Sequence, residues 1–399
     1  FLSLRHQPLG RGTESLNQVL YMLRNKYFID NLKVNVREVG LAEASYIASE
    51  ERIKEGKGMI KPKVLLPPNY HFAGIKGTDL LGLGVNNLAY YDLDEKFDID
   101  EKSLRNTIEE IYESGEGIMY ALAAAGDTMH GKVHDINLLS KVLNETSKKY
   151  NKPAVPIVVD AAGSFMFIGV MKDNPNYTGN MPEVSFQTPN IEAIVGDPHK
   201  QPIPYSCGLL MLKNMNLAHY TDVRDIMKTN YLDMDEQSKD TTAALATIPT
   251  SRSGSNSFAV WSYLAYQGMS GLRKEKENIW NLVQDFKDYV QSSNHYELVC
   301  EPQTQVVSFR YKGTGDENIE IYKRIKQSEK DFCYVSHDTG MLVKTKEDVK
   351  KASDGNDYAG LFVTIMEHNT FEHMNTLKRR LDEEAELLSI NKSENLSVK

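Results

Sequence analysis

The chain has 399 residues, of which 41% are apolar and 25% are charged, as is usual for a globular protein. A chain of this length can bury a large core, and we expect one large domain with a smaller one. The net charge of −9 is spread along the chain, which argues against the basic surface of a nucleic-acid-binding protein. No apolar run approaches the roughly 18 residues that a membrane helix needs.

The cysteines predict a reducing environment. Cys207, Cys300 and Cys333 are widely spaced and form no Cys-x-x-Cys pair, which argues against a disulfide framework and a metal site. We therefore expect a cytoplasmic location and no metal ligand. His130 and His134 have no acidic or thiol neighbours at metal spacing and are interpreted as surface residues. Because the sequence begins with Phe rather than Met, we expect a natural N-terminal segment to be missing.

In chain order, helical periodicity alternates with short apolar runs. Helices are predicted over 14–28, 71–84, 100–114 and 136–150, and strands over 63–68, 87–93, 117–126, 155–163, 192–198 and 207–214. This alternation is typical of βαβ units around a mostly parallel sheet, so we predict an α/β fold.

The remaining segments predict a second, smaller unit. Residues 164–190 are rich in Asn, Pro and Gly and predict a surface excursion, and 228–250 predict a mobile loop. After a helix near 276–292, three strand-like runs and a helix over 370–388 indicate an α+β unit, followed by a frayed tail. We place the boundary between a large domain, 1–275, and a small domain, 276–399.

Two residues at strand ends carry the most informative chemistry. Lys200 follows a buried strand and is flanked by His199 and by prolines, an unusual place for a solvated charge. A lysine that forms a covalent bond with an aldehyde must be rigid and partly dehydrated, as such a position allows. Asp160 ends the strand VVD, so its carboxylate would face the crevice at the carboxyl edge of the sheet. Each residue alone also fits a structural role.

Other segments offer weaker signals. His71 opens a helix and is interpreted either as an imidazole that stacks on a bound ring or as a helix-start residue bonded to the backbone. The loop GRGTE, 10–14, and Thr128 in AGDTMHG could both contact a phosphate, because a helix start presents free N–H groups. Any tight turn can use the same glycines.

In this order, the motifs resemble those of the group II pyridoxal-phosphate (PLP)-dependent amino acid decarboxylases, a fold-type-I family. The resemblance covers roughly residues 10–270. It is carried by GRGTESLNQVLYMLR, HFAGIKGTDLLGLG, GDTMHGKVHDI, VVDAAG, GDPHKQPIPYSCG and SRSGSNSFAVWSYLAYQG. The wording DPHK…PYS is most similar to the tyrosine decarboxylase branch.

The resemblance implies a fold-type-I architecture, PLP as cofactor and decarboxylation of an L-amino acid to its amine and CO2. It also implies a homodimer with shared active sites. The resemblance implies that Lys200 binds PLP covalently, that Asp160 contacts the ring nitrogen, and that Ala162 and His71 cover the two ring faces. It implies a phosphate contact from His199, and phosphate and ring contacts from Gly12, Thr13 and Thr128. Ser251 would contact the cofactor of the second subunit, and Tyr231 would protonate the reacting carbon.

Three departures from the family's pattern keep alternatives open. Arg11 and Asp127 stand where the family prefers a small residue and a threonine, and Ala73 replaces a serine. The alternatives are a PLP-dependent carbon–carbon lyase, a decarboxylation-coupled oxidase and a non-catalytic homologue. The sequence does not name the substrate, because no arginine stands out as its carboxylate partner.

Overall fold

The computed structural model describes residues 7–9, 12–203, 206–225, 246–248, 253–327, 335–352 and 355–397. Its first helix, α1 (Gly12–Lys26), buries the apolar side chains whose spacing predicted it, namely Leu16, Val19, Leu20 and Leu23. Within the described residues, no helix combines the length and apolar character needed to cross a membrane.

The larger sheet carries the predicted strands. Its members in the described part of the chain are β1 (Gln7–Leu9), β2 (Lys63–Leu66), β3 (Leu88–Tyr90), β4 (Ile118–Ala124), β5 (Ile157–Asp160), β6 (Ile191–Gly196) and β7 (Gly208–Leu212). Their order is β1-β7-β6-β5-β4-β2-β3. Strands β2 to β6 pair in parallel, whereas β7 is antiparallel to both β6 and β1. The carboxyl ends of β4, β5 and β6 therefore meet at one edge.

Helices connect these strands as the alternation predicted. They are α2 (Val36–Val39), α3 (Leu41–Lys54), α4 (Phe72–Leu80), α5 (Glu101–Glu113), α6 (Ile136–Lys149) and α7 (Phe165–Met171). Asp100 and Asp135 cap α5 and α6 by accepting hydrogen bonds from backbone N–H groups at 2.8 and 3.0 Å. Such caps satisfy amides that would otherwise lack a partner, so they fix where each helix begins.

A smaller antiparallel sheet follows. Its strands are β8 (Tyr296–Leu298), β9 (Val306–Tyr311), β10 (Ser336–Asp338) and β11 (Gly360–Thr364), in the order β10-β11-β9-β8. The long helix α8 (Gly254–Ser292), interrupted at Gly268, leads into it, and α9 (Gly315–Gln327), α10 (Lys346–Lys351) and α11 (Phe371–Ser397) complete this part. Phe286 of α8 packs edge-on against Phe309 of β9, with ring centroids 5.4 Å apart. The proposed boundary at 275 lies within α8 and stays a prediction.

Two expectations about local structure were wrong. Residues 164–190 are not only a surface excursion, because α7 buries Met166, Phe167, Ile168 and Met171 within them. The predicted frayed tail is helical as far as Ser397. No glycine or proline interrupts the segment from Phe371 onward, so nothing in the sequence ends the helix earlier. Most of the predicted loop 228–250 lies outside the described residues.

Candidate active site

One cavity of about 160 Å³ lies at the carboxyl edge where β4, β5 and β6 meet. Four residues predicted from the sequence to contact a cofactor line it together with Lys200. They are His71, Thr128, Asp160 and Ala162. Because parallel strands end at the same edge, residues far apart in sequence converge there.

Asp160 is fixed by two hydrogen bonds. Its Oδ1 accepts from the Ala162 backbone N–H at 3.1 Å, and its Oδ2 accepts from the Tyr70 hydroxyl at 3.3 Å. Burial, and next the nearby Asp160 charge, raises the pKa of Tyr70 well above its ordinary value. Tyr70 therefore stays protonated and donates to the carboxylate, which remains free to accept a further donor from the cavity.

His71 is both the cap of α4 and a wall of the cavity. Its Nδ1 accepts a hydrogen bond from the Ala73 N–H at 3.2 Å, so Nδ1 is unprotonated in this arrangement. Burial lowers the pKa of His71, while Asp160 acts in the opposite direction and Lys200 again lowers it. The two interpretations of His71 are thus compatible, since the side chain caps the helix and still lines the cavity.

A short helical turn, Pro198–Lys200, follows β6, and Lys200 is its last residue. Its Nζ lies 3.2 Å from Oδ2 of Asp197, a buried carboxylate that sequence reasoning missed. Burial raises the pKa of Asp197, and Lys200 counteracts that shift. The signal for this pair was present in the sequence, because Asp197 precedes Lys200 by three residues, the spacing that one helical turn brings together.

The other predicted cofactor contacts do not all reach this cavity. His199 Nδ1 forms a hydrogen bond with the Cys207 carbonyl oxygen at 2.5 Å, and His199 is not among the residues that line the cavity. Thr13 is exposed and is not among them either. Gly12 begins α1. The predicted roles of Tyr231 and Ser251 fall outside the described residues.

The interpretation of His130 and His134 as surface residues was wrong, because both are fully buried. His130 Nδ1 lies 2.9 Å from Asp127 Oδ1, and its Nε2 lies 2.7 Å from the Met341 carbonyl oxygen. The carboxylate and the carbonyl oxygen are both acceptors, so each ring nitrogen of His130 lies beside an acceptor. Asp127 is one of the departures from the family pattern. It also lines the cavity, so its hydrogen bond to His130 connects the cavity wall to that buried histidine.

Three lining residues in or beside the smaller sheet were missed. Val306 of β9, Thr364 of β11 and Gln305, which directly precedes β9, line the cavity although they lie more than 100 positions after Asp160 in the sequence. Gly126, at φ +85°, completes the lining, and a Cβ there would meet Ser164 Oγ at 2.1 Å. Nothing local in the sequence identifies the three residues in or beside the smaller sheet, since only the tertiary fold places them at the cavity.

A lysine amine, a carboxylate and an imidazole around one cavity are the groups used by an enzyme that binds an aldehyde cofactor through lysine. The chain belongs to the pyridoxal-dependent decarboxylase family, because the model of that family's conserved domain matches residues 61–312. Pyridoxal phosphate is therefore the cofactor of this chain. The residues that line the cavity fit this cofactor, because they include a lysine amine and a carboxylate that can accept a further hydrogen bond.

Sequence relatives and solved structures agree with this class. The chain is 27% identical over 262 residues to a probable L-tyrosine/L-aspartate decarboxylase from Methanothermobacter thermautotrophicus, covering 65% of this chain and 62% of that protein. It is 25% identical over 272 residues to a tryptophan decarboxylase from Clostridium sporogenes, covering 68% and 53%. The chain thus spans about three fifths of the length of such curated relatives.

The fold is that of fold-type-I PLP-dependent decarboxylases. The tryptophan decarboxylase of Catharanthus roseus, solved in complex with L-tryptophan, superimposes with a TM-score of 0.68 over 97% of this chain and 69% of that chain. The sequence identity is 17%, so this likeness concerns the fold. The predicted α/β architecture is confirmed.

Proposed function

We propose that the chain removes the α-carboxyl group of an L-amino acid as CO2 and releases the corresponding amine. The observation that carries this proposal is the convergence of Lys200, Asp160 and His71 on one cavity. Membership of the pyridoxal-dependent decarboxylase family supports it. The names of the relatives support it too, although the chain spans only part of their length.

Each residue has a distinct task. Lys200 would hold the cofactor through its amine, and Asp197, whose Oδ2 lies 3.2 Å from Lys200 Nζ, retains the lysine beside the cavity. Asp160, held by Tyr70 and Ala162, keeps a protonated ring nitrogen in place. When bound, the cofactor supplies an electron sink for the pair left by the departing CO2.

The neighbouring walls orient the reacting group. His71 covers one face of the ring, and Ala162 leaves space for the other face. Burial keeps His71 neutral by lowering its pKa, so that it stacks without placing a cation beside Lys200. We assign to Tyr231 the donation of the proton that replaces the carboxyl group, and to Thr128, which lines the cavity, a contact with the phosphate or the ring. Phosphate contacts from His199, Thr13 and Gly12 stay predictions from the sequence.

The proposed assembly is a homodimer in which Ser251 reaches the cofactor of the other subunit. Supporting this is an aromatic surface on the first part of α8, where Phe258, Trp261 and Tyr266 are 66%, 64% and 87% exposed. Three aromatic side chains exposed on one helix indicate a surface that a second copy covers. The proposed location is the cytoplasm, in keeping with the buried free thiols of Cys207 and Cys300.

The test is the replacement K200A, with K213A as the control on a neighbouring strand end. We expect the unmodified protein to carry a visible absorbance band that borohydride alters, and to release CO2 and amine in equal amounts. K200A loses both properties, whereas K213A keeps them. Aldehyde and peroxide formed alongside CO2 would indicate the oxidase instead, and a chain that binds no PLP would be the non-catalytic homologue.

A further inference from the structure

Gln305 has a hydrogen-bond acceptor that lacks a partner among the described residues. The residue is 5% exposed, and its Nε2 donates to the Gly163 carbonyl oxygen at 2.6 Å. Its Oε1 is buried without a hydrogen-bond partner, and the side chain lines the cavity that contains Lys200 and Asp160. A buried acceptor without a partner is costly, so a ligand donor that reached Oε1 from the cavity would remove that cost.

The orientation of this amide is determined by its surroundings. The Gly163 carbonyl oxygen also accepts from Gln201 Nε2 at 3.1 Å, and Gln201 Oε1 accepts from the buried ammonium of Lys276 at 2.5 Å. An ammonium only donates and a carbonyl only accepts, so the direction of every bond in this chain is fixed. The NH2 group of Gln305 must face Gly163, and its oxygen is the atom left without a partner.

We propose that Gln305 is a specificity-determining residue that accepts a hydrogen bond from the side chain of the amino acid substrate. This inference rests on the proposed function and adds the substrate class. The substrate side chain carries a donor, such as a phenol, an alcohol, an amide or an amine. A side chain without one leaves Oε1 buried and unpaired during the reaction.

The charges around the cavity argue against an acidic side chain. Asp127 and Asp160 line the cavity, and the described lining residues of basic type are Lys200 and His71. Lys200 is committed to the cofactor, and burial lowers the pKa of His71. A substrate carboxylate placed at Gln305 would therefore face an acceptor and find no free cation.

The experiment compares amino acids in pairs that differ in the donor. We measure kcat/KM for L-tyrosine against L-phenylalanine, L-asparagine against L-aspartate, and L-glutamine against L-glutamate. The member with the donor should be preferred by at least roughly tenfold in the pair that fits the cavity. In Q305M, which keeps the volume but removes the acceptor, that preference should fall to about one.

Q303M is the matched control. Gln303 is equally buried, but both ends of its amide have partners, with Oε1 accepting from the Val133 N–H at 2.8 Å and Nε2 donating to the Asn180 carbonyl at 2.6 Å. Q303M should keep the donor preference. In urea unfolding of the PLP-loaded protein without substrate, its midpoint should fall further than that of Q305M, because it loses two satisfied hydrogen bonds rather than one.

Two results would overturn the inference. One is a best substrate without a side-chain donor, and the other is a donor preference that Q305M leaves intact. If no amino acid releases CO2, the proposed function fails separately, and calorimetric binding of the same pairs to the PLP-loaded protein then decides the role of Gln305. Equal affinities within every pair, or no binding, would refute it.

Discussion

The buried pair of Asp127 and His130 leads to the most sharply defined stability prediction. Asp127 Oδ1 accepts hydrogen bonds from the N–H groups of Met129 and His130 and from the His130 ring, at 2.9 to 3.1 Å. Its Oδ2 accepts from the Lys132 N–H at 3.0 Å. In D127N the amide oxygen can keep the first set, but the NH2 group then faces the N–H of Lys132, donor against donor.

The expected cost follows from these contacts. D127N loses one hydrogen bond outright and replaces a charged partner of His130 with a neutral one, in a place where both side chains are almost completely buried. Removing the charge of a buried carboxylate that accepts several hydrogen bonds costs about 3 kcal/mol or more. We therefore expect the free energy of unfolding of D127N to fall by about 3 kcal/mol at neutral pH.

D94N is the control. Asp94 Oδ1 also accepts two backbone N–H groups, from Lys96 at 2.8 Å and Asp98 at 2.9 Å, but Asp94 is exposed. An asparagine oxygen can accept both, so the cost should stay within about 0.5 kcal/mol. The assay is urea unfolding followed by circular dichroism. An equal loss in the two variants would refute the argument from burial and charge.

The pH dependence has a definite sign. The His130 ring and backbone N–H outweigh the burial that by itself would raise the pKa of Asp127, and they hold that pKa below its ordinary 3.8. A carboxyl whose pKa is lowered on folding contributes stability above the unfolded value and loses it as the pH falls below 3.8 towards the folded value. The part of the stability difference between D127N and the unmodified protein that comes from the Asp127 carboxylate should therefore be lost as the pH falls below about 4.

Three further predictions concern other buried groups. Burial lowers the pKa of His134 from 6.5 to about 4, so stability should fall as the pH drops from 6.5 to 4, and H134F should lose that slope in urea titrations. K276M leaves the carboxylates of Glu275 and Glu367 without their shared ammonium, and thermal unfolding should show a loss of about 3 kcal/mol. D160N should keep its hydrogen bond with Tyr70 but lower kcat at saturating PLP by at least about tenfold, because the negative charge is lost. An unchanged kcat would show that the charge of Asp160 is not needed.

The larger sheet was predictable because its signals are local. Strands β2 to β7 each lie in an apolar run of the sequence, whereas β1 was not predicted. The ends of parallel strands converge whatever their separation in sequence, so Lys200, Asp160 and His71 were predictable as parts of one site. Helix α7 was missed because the segment 164–190 was interpreted from its overall composition, which is rich in polar residues. The short apolar run FMFIGV within it was not considered separately.

The features that escaped prediction depend on contacts between distant segments. His130 is buried because it pairs with Asp127 and with Met341, which lies 211 positions away. A lone histidine in a polar loop gives no local sign of such a partner, and its exposure follows from the fold alone. Gln305 was missed for the same reason, since its hydrogen bond to Gly163 joins residues 142 positions apart.

Under the proposed function, the residues that bind the cofactor are found from local motifs, whereas the residues that select the substrate depend on contacts between distant segments. The residues proposed to bind the cofactor follow strands of the larger sheet, where short motifs identify them. Val306 and Thr364 of the smaller sheet, with Gln305 just before β9, reach the cavity only through the packing of the two sheets. Substitutions of these three residues can therefore change which amino acid is accepted while Lys200 and Asp160 keep the same chemistry, which is why the family could be recognised from sequence and the substrate could not.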